Sequence, residues 1–228
     1  MDGFVVNDLR EQQGSIDKTM GLIFDMDGTL IDTAKATIPA CQAIARQLNM
    51  PVARPEDIKK TIGWSEQEFY QKLYPSQDSQ LLKQYGALVE ACEAQLIQEL
   101  GADLVFPGIF DLLDDLTAKG HFLAIASTGS VSHVDVVMRS TGLLQYFQII
   151  KCDEPVKTAM VSHIIETKKD GRWLMIGDKS KDATAAAENG IESIGVQFGY
   201  GTADELRLFT YVAKNAQAIR CYIEETSR

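Results

Sequence analysis

The chain has 228 residues, 45% of them hydrophobic and 24% charged, which is typical of one globular domain or of a core carrying a smaller inserted domain. Its formal net charge is −10, and an acidic chain repels phosphate backbones, so nucleic acid is not expected as a partner. No apolar run approaches the roughly 20 residues that a membrane-spanning helix needs, so membrane association is not expected either.

Residues 1–19 are mostly polar and lack the apolar centre of a secretion signal. They are predicted to form a polar extension, either disordered or a short, partly ordered arm, on a cytoplasmic protein. The cysteines are scattered and form no C-x-x-C pair, which predicts reduced, packed thiols rather than a zinc site or a disulfide frame. They are Cys41, Cys92, Cys152 and Cys221.

Gly21 to Phe24 is a short apolar run that ends at an aspartate, and it predicts a buried strand. The next segment, residues 34–104, predicts only helices. Apolar residues recur at helical spacing in Ala34 to Leu48, two short helices are expected in Arg54 to Tyr74, and a long one covers Asp78 to Leu100.

After Pro107 and Gly108 the pattern alternates between strand and helix. Strands are predicted at Phe122–Ala126, Phe147–Ile150, Trp173–Ile176 and Ser193–Val196. Helices are predicted at Ile109–Lys119, Val131–Arg139, Ala159–Thr167 and Lys181–Glu188, with two further helical pieces towards the end. Apolar strands alternating with helices indicate a parallel sheet covered on both faces. We therefore expect an α/β protein: a Rossmann-like core of residues 20–33 and 105–228, with an all-helical insertion at 34–104.

In open parallel sheets, ligands bind beyond the carboxyl ends of the strands. The first strand ends at Asp25 and Asp27, two carboxylates separated by one residue, which need a cation or a proton when they share a site. Gly28 then permits a turn that a larger residue would resist. Alone, such a pair also fits a surface turn or a cap.

Later strands end at further polar residues. Ser127 and Thr128 follow the second strand and can donate to phosphoryl oxygens, although they also suit a helix cap. Lys157 follows the third strand and could instead be a surface lysine. Asp178 follows the fourth, with Asp182 at a helix start, where a cap is the alternative. Together these residues fit a Mg²⁺ site and phosphoryl transfer.

At these residues the sequence resembles the haloacid dehalogenase superfamily, and within it the phosphoglycolate phosphatase-like group. The D-x-D-G-T motif stands at Asp25 to Thr29, and G-D-x-x-x-D stands at Gly177 to Asp182. The hydroxyl motif matches Ser127, and the lysine motif matches Lys157, with Lys151 as the alternative. The helical insertion resembles the family's C1-type cap, and the resemblance covers about residues 20 to 225.

The resemblance implies a role for each residue. Asp25 would be the nucleophile that forms an aspartyl-phosphate, and Asp27 the general acid and base. Mg²⁺ would be held by Asp25, by the backbone carbonyl of Asp27 and by Asp178. Phosphoryl oxygens would be bound by Ser127, with Thr128 able to share this role, and by Lys157. Asp182 would orient Lys157 or a metal-bound water. Within the cap, the residues considered for substrate specificity are Trp64, Lys59 and Lys60.

The resemblance therefore implies a Mg²⁺-dependent phosphatase acting on a small phosphorylated metabolite: phosphoglycolate-like, pyrophosphate or a sugar phosphate. Relatives that cleave carbon–phosphorus or carbon–halogen bonds lack the second aspartate of the pair. A sugar phosphomutase is the alternative, ranked lower because related mutases use a cap histidine and residues 34–104 contain none. A non-catalytic phosphate-binding or regulatory protein on the same fold is the other alternative. The sequence does not decide between a monomer and a homodimer.

Overall fold

The computed structural model describes residues 4–5, 19–154, 156–168 and 171–227. Within these residues the core is a seven-stranded sheet in the order β1-β4-β3-β2-β5-β6-β7. The strands are β1 Phe4–Val5, β2 Gly21–Phe24, β3 Phe122–Ala126, β4 Ile149–Lys151, β5 Trp173–Gly177, β6 Glu192–Val196 and β7 Tyr211–Ala213. Strands β2 to β7 are parallel, and only β1 runs antiparallel, along β4. The predicted α/β class with a parallel sheet is confirmed.

Strand β2 lies at the centre of the sheet, and its four residues are all buried. Phe24 pairs with Ile125 of β3 on one side and with Ile176 of β5 on the other. The residues that follow β2, β3 and β5 therefore leave the sheet at one edge and at nearly the same level. This register brings the aspartates after β2 and β5 together.

The first four helices are α1 Ala34–Gln47, α2 Pro55–Thr61, α3 Glu66–Leu73 and α4 Ser79–Leu100. They form a helical cap with its own hydrophobic core, in which Tyr85 is fully buried and donates a hydrogen bond to the Cys41 carbonyl at 2.9 Å. The helices after the cap are α5 Ile109–Ala118, α6 Val131–Ser140, α7 Lys157–Thr167, α8 Ser180–Glu188, α9 Ala203–Leu206 and α10 Ala216–Thr226.

Two linkers join the cap to the core, and they pair with each other. The backbone N–H of Asp32 donates to the Leu104 carbonyl at 2.7 Å, and that of Phe106 donates to the Leu30 carbonyl at 3.0 Å. Because both linkers leave the core side by side next to the D-x-D turn, the cap covers the edge of the sheet where the polar residues gather.

The structure differs from the expectations at the last strand and at one cysteine, and it gives the predicted polar extension a short ordered segment, which is one of the two forms expected. Strand β7 stands where only helical pieces were predicted. In the predicted polar extension, Phe4–Val5 forms β1 and adds an edge strand to β4, while residues 1–3 and 6–18 lie outside the described part. The described cysteines are free thiols, as expected, but Cys221 is exposed on α10 rather than packed. Within the described chain, no helix is both long and apolar enough to cross a membrane.

Candidate active site

The turn after β2 points its two aspartates in different directions. Asp25 is buried and faces Lys157, whereas Asp27 faces His133 and a cavity under the cap. Gly28 makes this turn possible: its φ is +80°, and a Cβ there would lie 2.6 Å from Asp178 Oδ2. Glycine is the residue that tolerates both the positive φ and the close approach.

Lys157 is the first residue of α7, and its ammonium group is buried between two carboxylates. Nζ donates to Asp25 Oδ1 and to Asp182 Oδ1, both at 2.6 Å. Burial alone would lower the pKa of Lys157, but the charges of Asp182 and Asp25 outweigh it and hold the pKa above its usual value. Lys151 is also buried, but it lies within β4 opposite Ala126. Lys157, not Lys151, is therefore the lysine that contacts Asp25.

Asp25, Asp178 and Asp182 form a buried acidic group, with a carboxylate oxygen of each within 4.8 Å of the others. Burial raises the pKa of Asp25 well above its ordinary value despite the opposing charge of Lys157. Burial and the charge of Asp182 raise the pKa of Asp178 to about 7. Like charges packed this closely out of water favour a proton or a cation.

The donor set fits a hard divalent cation. Asp178 Oδ1 is fully buried and has no hydrogen-bond partner, which is the state of a carboxylate oxygen available for a metal. Both oxygens of Asp182 are already engaged, one by Lys157 and the other by the backbone N–H groups of Asp178 and Lys179. Asp25 and Asp178 are thus the carboxylates able to hold Mg²⁺, while Asp182 fixes the loop and the lysine beside them.

Asp27 is held by two side chains. Its Oδ1 accepts a hydrogen bond from Thr33 and another from His133 Nε2 at 3.0 Å. Burial lowers the pKa of His133, but the charge and hydrogen bond of Asp27 outweigh it and raise the pKa to about 9. Burial likewise raises the pKa of Asp27, and the charge of His133 outweighs this and lowers it. Together the two residues hold one proton next to the cavity.

The hydroxyl residues after β3 occupy two positions. Ser127 is buried at the sheet edge, where its Oγ accepts from the Gly129 N–H at 3.1 Å. Thr128 lines the cavity, and its Oγ1 donates to the carbonyl of Gly63 in the cap at 3.2 Å. Ser127 therefore lies next to the strand of Asp25, while Thr128 connects the core to the cap.

A cavity with an empty volume of about 690 Å³, part of it open to solvent, lies between cap and core beside Asp27. Its polar lining includes Glu90 and Glu93 of α4 and His133 of α6. Its apolar lining includes Ile62, Trp64, Phe69 and Val89. A lining that combines apolar side chains with a few polar groups is typical of a small-molecule site.

The cap residues considered for specificity lie in three places. Trp64 lines the cavity. Lys59 is exposed and lies over the ring of Tyr200, 5.4 Å from its centroid. Lys60 faces a separate groove on the outside of the cap, and its side chain is 72% exposed. The structure therefore brings only Trp64 of this group to the cavity. Lys60 stands two residues after the buried Ile58 and therefore lies on the opposite, solvent-facing side of α2, away from the cavity.

Sequence reasoning missed His133, Glu90 and Glu93. The argument against a mutase counted histidines only within the cap, and the structure supplies one from the core instead, six residues after Ser127. The sequence does place His133 in the first turn of the helix that follows β3, close to the sheet edge where the site was predicted. Glu90 and Glu93 lie one helical turn apart on α4, and this spacing alone is common on solvated helices.

Comparisons with known proteins identify the family of this chain. The family model for haloacid dehalogenase-like hydrolases matches residues 22–196. The probable phosphatase IndB of Dickeya dadantii (strain 3937) is 31% identical over 203 residues, covering 82% of this chain and 84% of that protein. A phosphoglycolate phosphatase of Synechococcus elongatus is 26% identical, covering 81% of this chain and 87% of that protein.

The fold is found in solved structures as well. A haloacid dehalogenase-like family hydrolase from Streptococcus pneumoniae superposes with a TM-score of 0.78 at 21% identity, covering 90% of this chain and 98% of that one. The family match covers most of the core, and the residues of its motifs lie together at the sheet edge. The chain belongs to the haloacid dehalogenase-like hydrolase family, and its sequence groups it with the phosphatases of that family.

Proposed function

We propose that this phosphatase hydrolyses a small phosphorylated metabolite through an aspartyl-phosphate at Asp25, with Mg²⁺ as its cofactor. The observation that carries the proposal is the placement of Asp25. Its carboxylate is buried at the end of β2, hydrogen-bonded to Lys157 and close to Asp178, whose free oxygen can hold a cation. Mg²⁺ held by Asp25, Asp178 and the backbone carbonyl of Asp27 would offset the negative charge of the phosphoryl oxygens.

In the first step a carboxylate oxygen of Asp25 attacks phosphorus, and the bond between phosphorus and the ester oxygen breaks. The leaving oxygen takes a proton through Asp27, from the proton that the Asp27–His133 pair holds. In the second step Asp27 takes a proton from water, and this water attacks phosphorus and frees both inorganic phosphate and Asp25. Acid–base assistance of this kind contributes about 10²–10⁴ in rate.

The remaining residues position the reacting groups. Lys157 holds the Asp25 carboxylate in place and keeps a positive charge beside it. Asp182 fixes Lys157 and, through two backbone N–H groups, the loop that carries Asp178. Ser127, at the end of the adjacent strand, would donate to a phosphoryl oxygen, and Thr128 would share this role if it releases the Gly63 carbonyl.

The test is phosphate release from 4-nitrophenyl phosphate with and without Mg²⁺. We expect Mg²⁺-dependent turnover in the wild type, background hydrolysis for Asp25→Asn, and a rate lower by about 10²–10⁴ for Asp27→Asn. Asp135→Asn is the matched control, because the side chain of Asp135 is 43% exposed and forms an ion pair with Arg139 within α6. An inactive wild type, or equal activity in Asp25→Asn, would contradict the proposal.

A sugar phosphomutase remains the second candidate because His133 contacts Asp27. A mutase needs a group that manages the proton while the phosphoryl group returns to the sugar, and the core provides such a group even though the cap has no histidine. Phosphorus NMR of reactions with hexose phosphates separates the two. A phosphatase produces inorganic phosphate, whereas a mutase produces an isomeric sugar phosphate. Binding of phosphate without either product would favour a non-catalytic role.

A further inference from the structure

The cavity beside Asp27 lies on the side where the alcohol of the substrate would leave, if the proposed function holds. Asp27 lines this cavity directly, and the proton for the leaving oxygen comes from its pair with His133. The residues around the rest of the cavity therefore contact the non-phosphate part of the substrate. Their charge and polarity indicate which alcohol the site accepts.

The side chains with a carboxylate or an imidazole that line the cavity are Asp27, Glu90, Glu93 and His133. They comprise three carboxylates and one imidazole, and none of the described lining residues is a lysine or an arginine. The nearby lysines Lys72 and Lys181 lie over the indole of Trp64, with their ammonium groups 3.9 and 4.2 Å from the ring centroid. Among the described lining residues, His133 carries a positive charge, and this charge is already paired with Asp27 rather than available to an anionic leaving group.

The two glutamates are fixed in place rather than free to swing away. Glu90 Oε1 accepts a hydrogen bond from Ser132 at 2.6 Å. Glu93 accepts one from Thr37, and its Oε2 lies 3.9 Å from His133 Nδ1. Burial raises the pKa of Glu93, and Glu90 and Asp27 provide the other two carboxylates that line the cavity. The remaining lining combines hydroxyl side chains with an apolar, partly aromatic part that includes Ile62, Phe69 and Val89.

We infer that the substrate is the phosphate ester of an uncharged or cationic alcohol with hydrogen-bond donors, and not of a hydroxy acid. Carboxylate oxygens on the wall accept from hydroxyl or amino groups, and the apolar side covers a carbon skeleton or a ring. A carboxylate on the leaving group would instead face Glu90, while the positive charge of His133 is already paired with Asp27, and like charges facing each other are strongly unfavourable. Among the candidate substrates, this favours sugar phosphates over phosphoglycolate or pyrophosphate.

Three two-carbon esters of similar size test this inference: 2-phosphoglycolate, 2-hydroxyethyl phosphate and 2-aminoethyl phosphate. They carry a negative, a neutral and a positive leaving group respectively. We expect kcat/KM for the neutral and positive esters to exceed that for 2-phosphoglycolate by about tenfold or more. The difference should shrink in high salt, because the cavity is partly open to solvent.

A second series covers the case in which these esters are too small for the cavity. It consists of phenyl phosphates bearing a carboxymethyl, a 2-hydroxyethyl or a 2-aminoethyl group at the para position. The same order of kcat/KM is expected. The preference for the leaving group is judged on whichever series shows measurable turnover.

The variant Glu90→Gln links the preference to the cavity wall. It should narrow the ratio between the neutral and the carboxylate ester severalfold, mainly by raising kcat/KM for the carboxylate. Glu99→Gln is the matched control, because Glu99 is exposed on the same helix and outside the cavity, so the ratio should stay at the wild-type value.

The outcomes separate this inference from the proposed function. If neither 4-nitrophenyl phosphate nor any ester is hydrolysed, the proposed function itself fails. If esters are hydrolysed but the carboxylate ester is preferred, the inference is wrong and the phosphatase assignment stands. If Glu90→Gln leaves the kcat/KM ratio of the neutral to the carboxylate ester unchanged, the cavity lining does not cause the preference and the inference is also wrong.

Discussion

His133 contacts Asp27, the proposed general acid and base, and the sequence analysis did not include it in the site. It reaches Asp27 across 106 positions of the chain and holds the carboxylate together with Thr33. We expect His133→Gln to lower kcat by about 10²-fold, because Asp27 loses the group that orients it and stores its proton. Inhibition by inorganic phosphate should change little, because Asp25 and Lys157 remain in place. Steady-state kinetics with 4-nitrophenyl phosphate measure both quantities.

His163→Gln is the control for this experiment, because His163 is exposed on α7. A merely structural role for His133 would lower kcat and weaken phosphate inhibition together, with a loss of folded protein. Unchanged kcat in His133→Gln would show that Asp27 works without it.

At the scale of single residues, local motifs were the reliable guide. Asp25 and Asp178 were predicted from aspartates that directly follow apolar strands, and the structure places them together. Lys157 and Lys151 could not be separated by sequence, because both stand near the end of β4 and only the start of α7 turns Lys157 inward. His133 was missed because its contact depends on how α6 packs under the cap, which spacing along the chain does not encode.

At the scale of elements, the loop after β6 ties the core to a cap linker. The Tyr200 hydroxyl donates to Asp32 Oδ1 at 2.8 Å and accepts from the Ala34 N–H at 2.9 Å. Its own N–H donates to Asp178 Oδ2 at 2.6 Å. Tyr200 therefore links the start of α1, the linker that precedes it and the loop that carries Asp178.

We expect Tyr200→Phe to lower the free energy of unfolding by about 1–3 kcal/mol. The variant leaves the N–H of Ala34 without its acceptor in a partly buried place, and an unsatisfied buried group costs that amount. Urea unfolding followed by circular dichroism measures the change. Tyr211→Phe is the matched control, because Tyr211 stacks on Tyr222 at the far edge of the sheet. An equal loss in both variants would count against the linker role of Tyr200.

Most elements were predictable because the helices and the buried strands carry clear periodicity. Strand β7 was not, because its three residues are half-buried, exposed and buried in turn, so it has no continuous apolar run. Helix α7 begins two residues before its predicted start because Lys157 occupies the first turn, where an inward-facing lysine is unexpected on propensity alone. In both cases packing decided what the local pattern left open.

At the scale of the whole molecule, the site forms where two separately packed bodies meet. The core provides Asp25, Asp178 and Lys157, and the cap provides the glutamates of the cavity wall. The acidic group at this junction carries three buried carboxylates against one lysine. The fold therefore contains a charge imbalance at its centre, and this imbalance should appear in the stability of the entire protein.

Mg²⁺ should stabilise the wild type against unfolding, because the cation binds the folded site and not the dispersed carboxylates of the unfolded chain. At one hundred times its dissociation constant, a ligand specific for the folded state adds about 2.7 kcal/mol. We expect Mg²⁺ to raise the Tm of the wild type in a thermal melt. In Asp178→Asn the shift should be largely lost, because the variant lacks the unpartnered buried oxygen.

Removal of the metal with EDTA should make Asp178→Asn more stable than the wild type, which is the reverse of their order in Mg²⁺. Without a cation, the wild type keeps three carboxylates close together, and burial and the charge of Asp182 disfavour the charged form of Asp178. Asp178→Asn removes this carboxylate while preserving the shape of the side chain, so at neutral pH its Tm in EDTA should exceed that of the wild type. In Mg²⁺ the wild type should be the more stable.

If Asp178→Asn is the less stable protein in EDTA as well, the carboxylates are not in net repulsion and Lys157 alone balances them. If the protein with the higher Tm is Asp178→Asn in EDTA and the wild type in Mg²⁺, the aspartates are arranged to bind a metal and destabilise the fold without it.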